Sequence, residues 1–599
     1  MSWKLKSGRW CILLIPALLG FAFAGQESHM EHHSRIELRK QKFLQYMAAT
    51  AGETPFFYRI AALLALNQDI EKARRAFMKR LENPVGDMFY SLPLMGTYLH
   101  GLRHWTPEIH RKVRQVWKTY LPYRGDTENH WVMWHTALLL AAQTWPDLPG
   151  SEWANGRSSR ENYDDALGFL NFWFETTSTI GQGEFDSPDY LPEYLAPLFL
   201  LYDFALDPEL KLKAEMALNW LLADYAIDYL KGAYTGGHSR IYQPRVVDPL
   251  SDGALAFGYM LFGDTPFPRR APFNFAVYAA LSSYSLPPII GRIARDRETP
   301  YVSRERKRVR NIIRFGKERN PPVYKYNYMT RNFSLGSLDG GLQQPIQIHT
   351  WDVTYVYDGS KVDNLFSLHP YYSALELAMF FPEPVKILVE GVVKSKKTYD
   401  KEDKWTGASP YERTFQHRNT IIVLYNLAED TPYRHIDYYF PKSLTRREVD
   451  DSGWIFCQGG AAYIAVRPFR PGQWRREATN FRLRSPYLKN GHVTAVFDSS
   501  EFASWEMFKE RIRATRLDLS ELDARVQVAY TTLQGDRMVF RFPDYRELNG
   551  RPLDLSKTPL FDSPYLQGNN GVLRITHGGE TLILDFKQVR MEKRARGKK

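Results

Sequence analysis

The sequence predicts an α+β multidomain protein, with an (α/α) barrel or arc of helices followed by an antiparallel β-sandwich or larger stack of sheets. Three observations predict it. The chain has 599 residues, more than one ordinary core holds and enough for two to four domains. From about residue 36 to 290, apolar residues recur at helical spacing between short Pro, Gly and Asp punctuation. From about 324 the period falls to two. With 44% hydrophobic and 24% charged residues, the composition is globular and argues against wholesale disorder.

The N-terminus comes first. Lys4, Lys6 and Arg9 precede the apolar run from Cys11 to Phe23, which ends in Ala22-Phe23-Ala24. A basic start, a short apolar stretch and a small-x-small triplet make residues 1–24 a predicted signal peptide. No later segment holds about 18 uninterrupted apolar residues, so the mature chain is expected to be secreted or periplasmic, free of the membrane after cleavage. Cleavage removes three of the charges behind the formal +12 and also Cys11, leaving Cys457 without an intrachain disulfide partner. His29-Met30-Glu31-His32-His33 has metal-friendly residue types. It lies a few residues past the predicted cleavage site, where a flexible terminus cannot fix coordination geometry.

Residues 25–290 read as roughly nine or ten helices with short connections, which makes successive helices antiparallel neighbours. The segment 128–144 is a predicted helix that stops at Trp145-Pro146. Segments 191–205 and 208–230 form a helical pair, with Asp207 as N-cap, Pro208 at the first helical position and Gly232 ending the second helix.

Residues 291–323 read as a basic linker. Within 291–319, eleven Lys or Arg stand against four Asp or Glu, the mark of a solvated segment or of one that draws in an anionic chain. Residues 324–590 form the β domain. Tyr324-Lys325-Tyr326-Asn327-Tyr328 alternates, and the runs 420–425, 461–467, 492–497 and 581–586 are β-rich and bounded by turn residues. The basic tail 591–599 is predicted to be disordered.

Aromatics reach 14%, as 36 Tyr, 35 Phe and 15 Trp. A basic, aromatic-rich chain suits an anionic partner with faces to stack on. An acidic polysaccharide fits; a nucleic acid does not suit a chain with a signal peptide and 67 acidic residues. No G-x-S-x-G, H-E-x-x-H, C-x-x-C or P-loop pattern occurs.

Three polar stretches stand where apolar helices begin or end. In Asp126-Thr127-Glu128-Asn129-His130, Asp126 or Thr127 can cap the helix, and Asn129 and His130 lie in its first turn, where an anionic group is favoured. Gly183-Glu184-Phe185-Asp186-Ser187-Pro188-Asp189-Tyr190 either lines a sugar cleft or caps the helix at Leu191. In Tyr234-Thr235-Gly236-Gly237-His238-Ser239-Arg240-Ile241-Tyr242, two glycines let backbone approach a ligand. Arg240 and Tyr242 share a face if that segment is extended.

These stretches resemble the helical-domain motifs of heparinase II/III-like polysaccharide lyases: Thr127-Glu-Asn-His-Trp-Val-Met-Trp-His135, Gly183-Glu-Phe-Asp-Ser-Pro-Asp-Tyr190 and Gly237-His-Ser-Arg-Ile-Tyr242. The β half is similar through 328–336, Gln347-Ile-His-Thr-Trp351 and 416–420. The resemblance implies an (α/α) toroid, an antiparallel β-sandwich, and a polymer bound in the cleft between them. It further implies a lyase that cuts a uronic-acid-containing acidic polysaccharide by β-elimination, removing the C5 proton and expelling the O4 substituent.

Neutralising the uronate carboxylate is the hard part of that reaction, and Asn129 and His130 suit it. Tyr242 is the expected base or acid. An unperturbed phenol titrates near ~10, so a nearby cation is needed, and Arg240 is closest in sequence. His238 is the alternate base. His349 completes the cleft from the β domain, Glu184 lines it, and Trp131, Trp134, Tyr190 and Trp351 are candidate sugar platforms. The scheme requires no metal or other cofactor. A structural zinc in the β domain would draw on His349 or His417, without close ligand spacing to support it. The alternatives are a toroidal glycoside hydrolase using Glu184 with Asp186 or Asp189, and a non-catalytic glycan-binding protein.

Overall fold

The computed structural model describes residues 29–125, 127–269, 274–309, 322–340, 347–372 and 399–595. The predicted signal peptide and Asp126 lie outside them. Helices come first: α1 (His29–Ala49), α2 (Phe57–Ala65), α3 (Ile70–Glu82), α4 (Met88–His100), α5 (Pro107–Thr119), α6 (Glu128–Thr144) and α7 (Ser159–Ile180). They continue with α8 (Leu191–Phe204), α9 (Pro208–Ile227), α10 (Gln243–Val246), α11 (Ala254–Phe257), α12 (Ala276–Leu281) and α13 (Pro288–Arg295).

Contacts run α2 to α4 to α6 to α8 to α12 and back to α2, closing an inner ring. Around it, α1, α3, α7 and α9 each pack on an inner helix, and α5 packs on α3. The side chains explain the two layers. In α8 every residue from Leu191 to Leu201 is buried, as an enclosed helix requires, whereas α5 buries one stripe, Ile109, Val113, Val116 and Trp117.

The helical reading holds closely at α6. At α9, Asp207 accepts from the Glu209 N–H at 2.8 Å and Pro208 opens the helix. The helix then ends at Ile227, short of 230, because a hairpin intervenes: β1 (Tyr229–Leu230) pairs with β2 (Ala233–Tyr234). Lys231 and Gly232 turn it with φ of 51° and 105°, a two-residue turn of positive φ. Gly232 therefore serves a hairpin and not a helix C-cap. Likewise the His29–His33 motif is no flexible end; it opens α1, and His32 is buried.

The basic segment 291–323 is also corrected. It begins within α13 and contains β3 (Tyr301–Arg308), whose Lys307 and Arg308 are buried. The strand is followed by β4 (Pro322–Met329), β5 (Phe333–Asp339), β6 (Trp351–Tyr357) and β7 (Lys361–Leu368) in an antiparallel meander. Those five strands are the centre of a thirteen-stranded sheet. Beyond β3 it continues through Phe561–Asp562, Leu566–Asn569, Val572–His577, Glu580–Asp585 and Arg590–Ala595. The start of the supposedly disordered tail is thus an edge strand, held by backbone pairing to Glu580–Asp585.

This sheet does two jobs. Its C-terminal strands bury Phe561, Leu573, Ile575 and Leu582 in a hydrophobic core shared with the helical domain, packing on α9 and α13. Its other half faces a six-stranded sheet, with Val353, Leu365 and Tyr438 meeting Val423, Ile464 and Val466. A third layer, a five-stranded sheet with helix Trp505–Arg513, packs on the far side of the six-stranded sheet through Phe508, Val528 and Phe540. The architecture is an (α/α) toroid followed by antiparallel β-sandwich layers.

Candidate functional site

The turn 183–190 between α7 and α8 faces both domains, and Glu184 and Asp186 anchor two different networks. Glu184 is wholly buried at its side chain. Its Oε2 accepts from the backbone N–H of Asn129 at 3.0 Å, from the Asn129 amide at 2.5 Å and from the Tyr194 hydroxyl at 2.8 Å. Its Oε1 accepts from Nη1 of Arg240 at 2.6 Å. The Arg240 guanidinium lies 3.6 Å from the centroid of the Tyr190 ring, and its Nε donates to Gln347, from the β domain, at 3.1 Å. Nη2 of Arg240 has no hydrogen-bond partner among the described residues. The hydroxyls of Tyr190 and Tyr242 are hydrogen-bonded to each other. Asp189 fixes this edge, accepting from the Tyr242 N–H at 3.3 Å and from Nε of Arg245 at 3.1 Å.

Burial opposes charge on Arg240, but Tyr190 and Glu184 outweigh it, and its pKa is raised. Burial lifts the Tyr190 phenol well above its ordinary value, with Arg240 pulling the other way. Glu193, one turn into α8, is 8% exposed; burial raises its pKa well above the usual carboxyl range. Its Oε2 has no hydrogen-bond partner among the described residues.

Asp186 belongs to the junction between toroid and sheet. It accepts from Lys307 at 3.2 Å, from Lys325 at 2.6 Å and from the Tyr234 hydroxyl at 2.8 Å. Burial pushes its pKa up, but Lys307 and Lys325 outweigh that and hold the carboxyl below its ordinary range. Asp186, Asp224 and Glu305 bring carboxylate oxygens within 4.8 Å of one another, a possible metal cluster among the described residues. The Lys307 ammonium lies 3.2, 2.5 and 2.7 Å from those three groups, so the cation this cluster holds is a lysine.

Several sequence candidates fall elsewhere. Asn129 is fully buried and its amide donates to Glu184 and Thr127, so it braces Glu184 where a substrate donor was expected. Glu184 in turn positions Arg240 and presents no open carboxylate to a cleft. His130, half-buried in the same helical turn, packs edge-on against Phe89. His238 is buried, donates from Nδ1 to the Asp186 carbonyl at 2.5 Å, and exchanges backbone hydrogen bonds with His349 at 2.9 and 3.0 Å. Burial, reinforced by His349, lowers its pKa to about 4. His349 pairs with Asp352 at 3.0 Å and His417 with Asp536 at 3.1 Å.

Trp131 and Trp134 are half-buried and donate to the carbonyls of Gly125 and Pro122 at 2.9 and 3.3 Å. Trp351 is fully buried in the sandwich core, with its indole N–H on Ser367 at 3.2 Å, so it offers no face to a sugar. Nor do the glycines at 236 and 237 admit a ligand. A Cβ at Gly336 would lie 2.5 Å from the Gly236 Cα, and one at Gly237 would meet Leu338 at 2.2 Å; the close approach is to β5. Glu193 and Arg245 escaped the sequence reading, Asp189 entered it only as a hydrolase carboxylate, and Gln347 only within the stretch Gln347-Ile-His-Thr-Trp351. Only Glu193 left a local signal, an acid one helical turn after Tyr190 in an otherwise apolar segment.

No family model matches the chain, and no curated protein matches it. Among solved structures it is similar to the chondroitin AC lyase of Streptomyces coelicolor A3, determined in complex with chondroitin sulphate. The identity is 11%, the match covers 94% of this chain and 90% of that one, and the TM-score is 0.39. A likeness that shallow transfers no residue and no activity.

Proposed function

We propose that this chain is a secreted or periplasmic polysaccharide lyase of the heparinase II/III-like kind, cleaving a uronic-acid-containing acidic polysaccharide by β-elimination. One observation carries the reading. The Tyr190–Tyr242 hydroxyl pair sits beside an arginine, 11% exposed at its side chain, that Glu184 holds in place and whose Nη2 has no hydrogen-bond partner among the described residues.

In this scheme Nη2 of Arg240, with His130, meets the uronate carboxylate and offsets the second negative charge that builds as C5 loses its proton. Tyr242 is the base that takes that proton. The C4–O4 bond breaks, the C4=C5 double bond forms, and O4 leaves with a proton from Tyr190. Proton passage along the shared hydrogen bond restores the pair. Asn129 acts through Glu184 as a positioning residue. The scheme routes no step through a metal.

A hydrolase would need two carboxyl groups open to a sugar. Glu184 is enclosed and Asp186 lies between two lysines, which counts against that pair. The test is an ultraviolet-absorbance screen of the purified mature protein against heparan-like chains, alginate, chondroitin and glucuronan. An unsaturated uronide absorbs. New reducing ends without absorbance would overturn elimination, and binding without cleavage would favour a non-catalytic glycan-binding protein.

A further inference from the structure

The sandwich ends in two edge strands that meet at one rim. Gln473–Arg476 is the outermost strand of the thirteen-stranded sheet, and Arg446–Val449 that of the six-stranded sheet. Every residue of the first is exposed. Trp474, 36% exposed, packs on Phe440 at 5.1 Å between ring centroids. The Arg447 guanidinium lies 4.2 Å from the Trp474 centroid and 4.0 Å from that of Phe481. Arg476 pairs in register with Phe481, so it shares a face with Trp474 and Arg447. The Lys442 ammonium, donating to the Ala478 carbonyl at 2.7 Å, extends the same rim.

Charge accounting separates this rim from the rest of the β domain. Arg482 and Arg484, in the next strand, are paired with Asp437. The two carboxylates nearest the rim in sequence are engaged as well: Glu477 with Arg482 at 2.5 Å and Glu448 with Lys509 at 2.7 Å. Arg447 and Arg476 make no ion pair among the described residues. Edge arginines deter sheet-to-sheet association, but that role needs no tryptophan half-open beside a guanidinium. Uncompensated guanidinium groups flanking an indole face match carboxylates or sulfates strung along a sugar chain.

We propose that this rim is a second, non-catalytic binding site for acidic polysaccharide, with Arg447, Arg476 and Lys442 on its anionic groups and Trp474 under a sugar ring. It rests on the lyase reading only for the identity of the polymer. The test measures binding of the full mature chain to heparin, polygalacturonate and single-stranded DNA in a Tyr242→Phe background, so that no probe is consumed. Replacing both Arg447 and Arg476 by Ala is expected to weaken binding to heparin about tenfold at moderate salt and to flatten its salt dependence. In the otherwise unaltered enzyme the same pair should raise KM on long polymer and leave turnover of a tetrasaccharide unchanged.

Equal affinity with and without the two arginines overturns the proposal. So does DNA bound as tightly as the glycans, or a change of oligomeric state by size exclusion with glycan affinity intact, which would make the rim a contact between copies. If no polymer is cleaved while the arginines still govern glycan binding, the lyase reading falls and the rim stands.

Discussion

Glu184 and Asp186 are two residues apart in one turn, yet the networks they anchor differ in kind. Around Asp186, cations and acids interdigitate: Lys307 faces Asp186, Asp224 and Glu305, Lys325 faces Asp186 and Asp228, and the Asn327 amide closes on Asp228 at 2.6 Å. Around Glu184 the chain of contacts runs through Arg240 and stops at two phenols, and at an Arg240 Nη2 and a Glu193 oxygen that have no hydrogen-bond partner among the described residues. A network that closes on itself joins two domains. One that ends in open donors and a proton-bearing pair is equipped to act on something else. Unpartnered atoms alone do not mark function, since Asp224 Oδ1 in the Asp186 network also has no hydrogen-bond partner among the described residues; a hydroxyl pair beside a cation does.

The sharpest way to break that contrast is to remove one phenol oxygen. Tyr242→Phe should lower double-bond formation by about 10²–10⁴-fold, the range for a lost acid–base group. Its stability cost should stay near ~1 kcal/mol, one hydrogen bond. Initial rates by ultraviolet absorbance and a thermal melt read the two effects separately. Full activity in this variant would remove Tyr242 from the chemistry.

The complementary change is Lys325→Met. It leaves Asp186 and Asp228 facing each other without the ammonium that lies between them. Removing one partner of a buried ion pair costs about 3–5 kcal/mol, which denaturant titration would report as a large drop in midpoint. A loss below ~1 kcal/mol would mean that the junction is not held by these charges, and the contrast with the Glu184 network would collapse.

That junction also shows where sequence reading stops. The alternation of Tyr324 to Tyr328 announced a strand, and β4 is one. Its inward face, however, carries Lys325 and Asn327, while the tyrosines between them stay half-exposed. Period two fixes which residues share a face but not which face is buried. The deciding partners, Asp186 and Asp228, lie about a hundred or more residues upstream on the toroid, beyond any local pattern. The same gap misread β3 as linker, because Lys307 and Arg308 look solvated until Asp186 and Glu128 are brought to them. By contrast α6, with its apolar run and its Trp145-Pro146 stop, was legible to the residue, as was the Asp207-Pro208 start of α9. At the site, Arg240 and Tyr242 meet through Tyr190, whose ring stacks on one and whose hydroxyl bonds the other; that contact and the Glu184 brace needed three dimensions.

Arg240→Lys tests whether the guanidinium plane matters beyond its charge. Lysine keeps the charge facing Glu184 but loses both the stack on Tyr190 and the bond to Gln347. An arginine that stacks on one ring and bonds two partners through different nitrogens is not replaced by an ammonium, so kcat should fall about tenfold to a hundredfold with little change in the melt. Unchanged kcat would reduce Arg240 to a counter-ion for Glu184.

The smallest expected effect concerns Glu193. Its folded pKa lies well above that of an unfolded Glu because burial disfavours the charge. Between the two values the folded chain binds the proton and the unfolded chain does not. Stability therefore falls as pH rises from the unfolded value near ~4.3. Glu193→Gln removes that dependence and should raise stability at pH 8 by on the order of 1 kcal/mol while leaving it unchanged at pH 4. Melts across that range decide the matter. A loss of stability at pH 8 on substitution would show instead that Glu193 is ionised and paired. The Glu184 network would then close on itself as the Asp186 network does, and the reason for locating the chemistry there would rest on the two tyrosines alone.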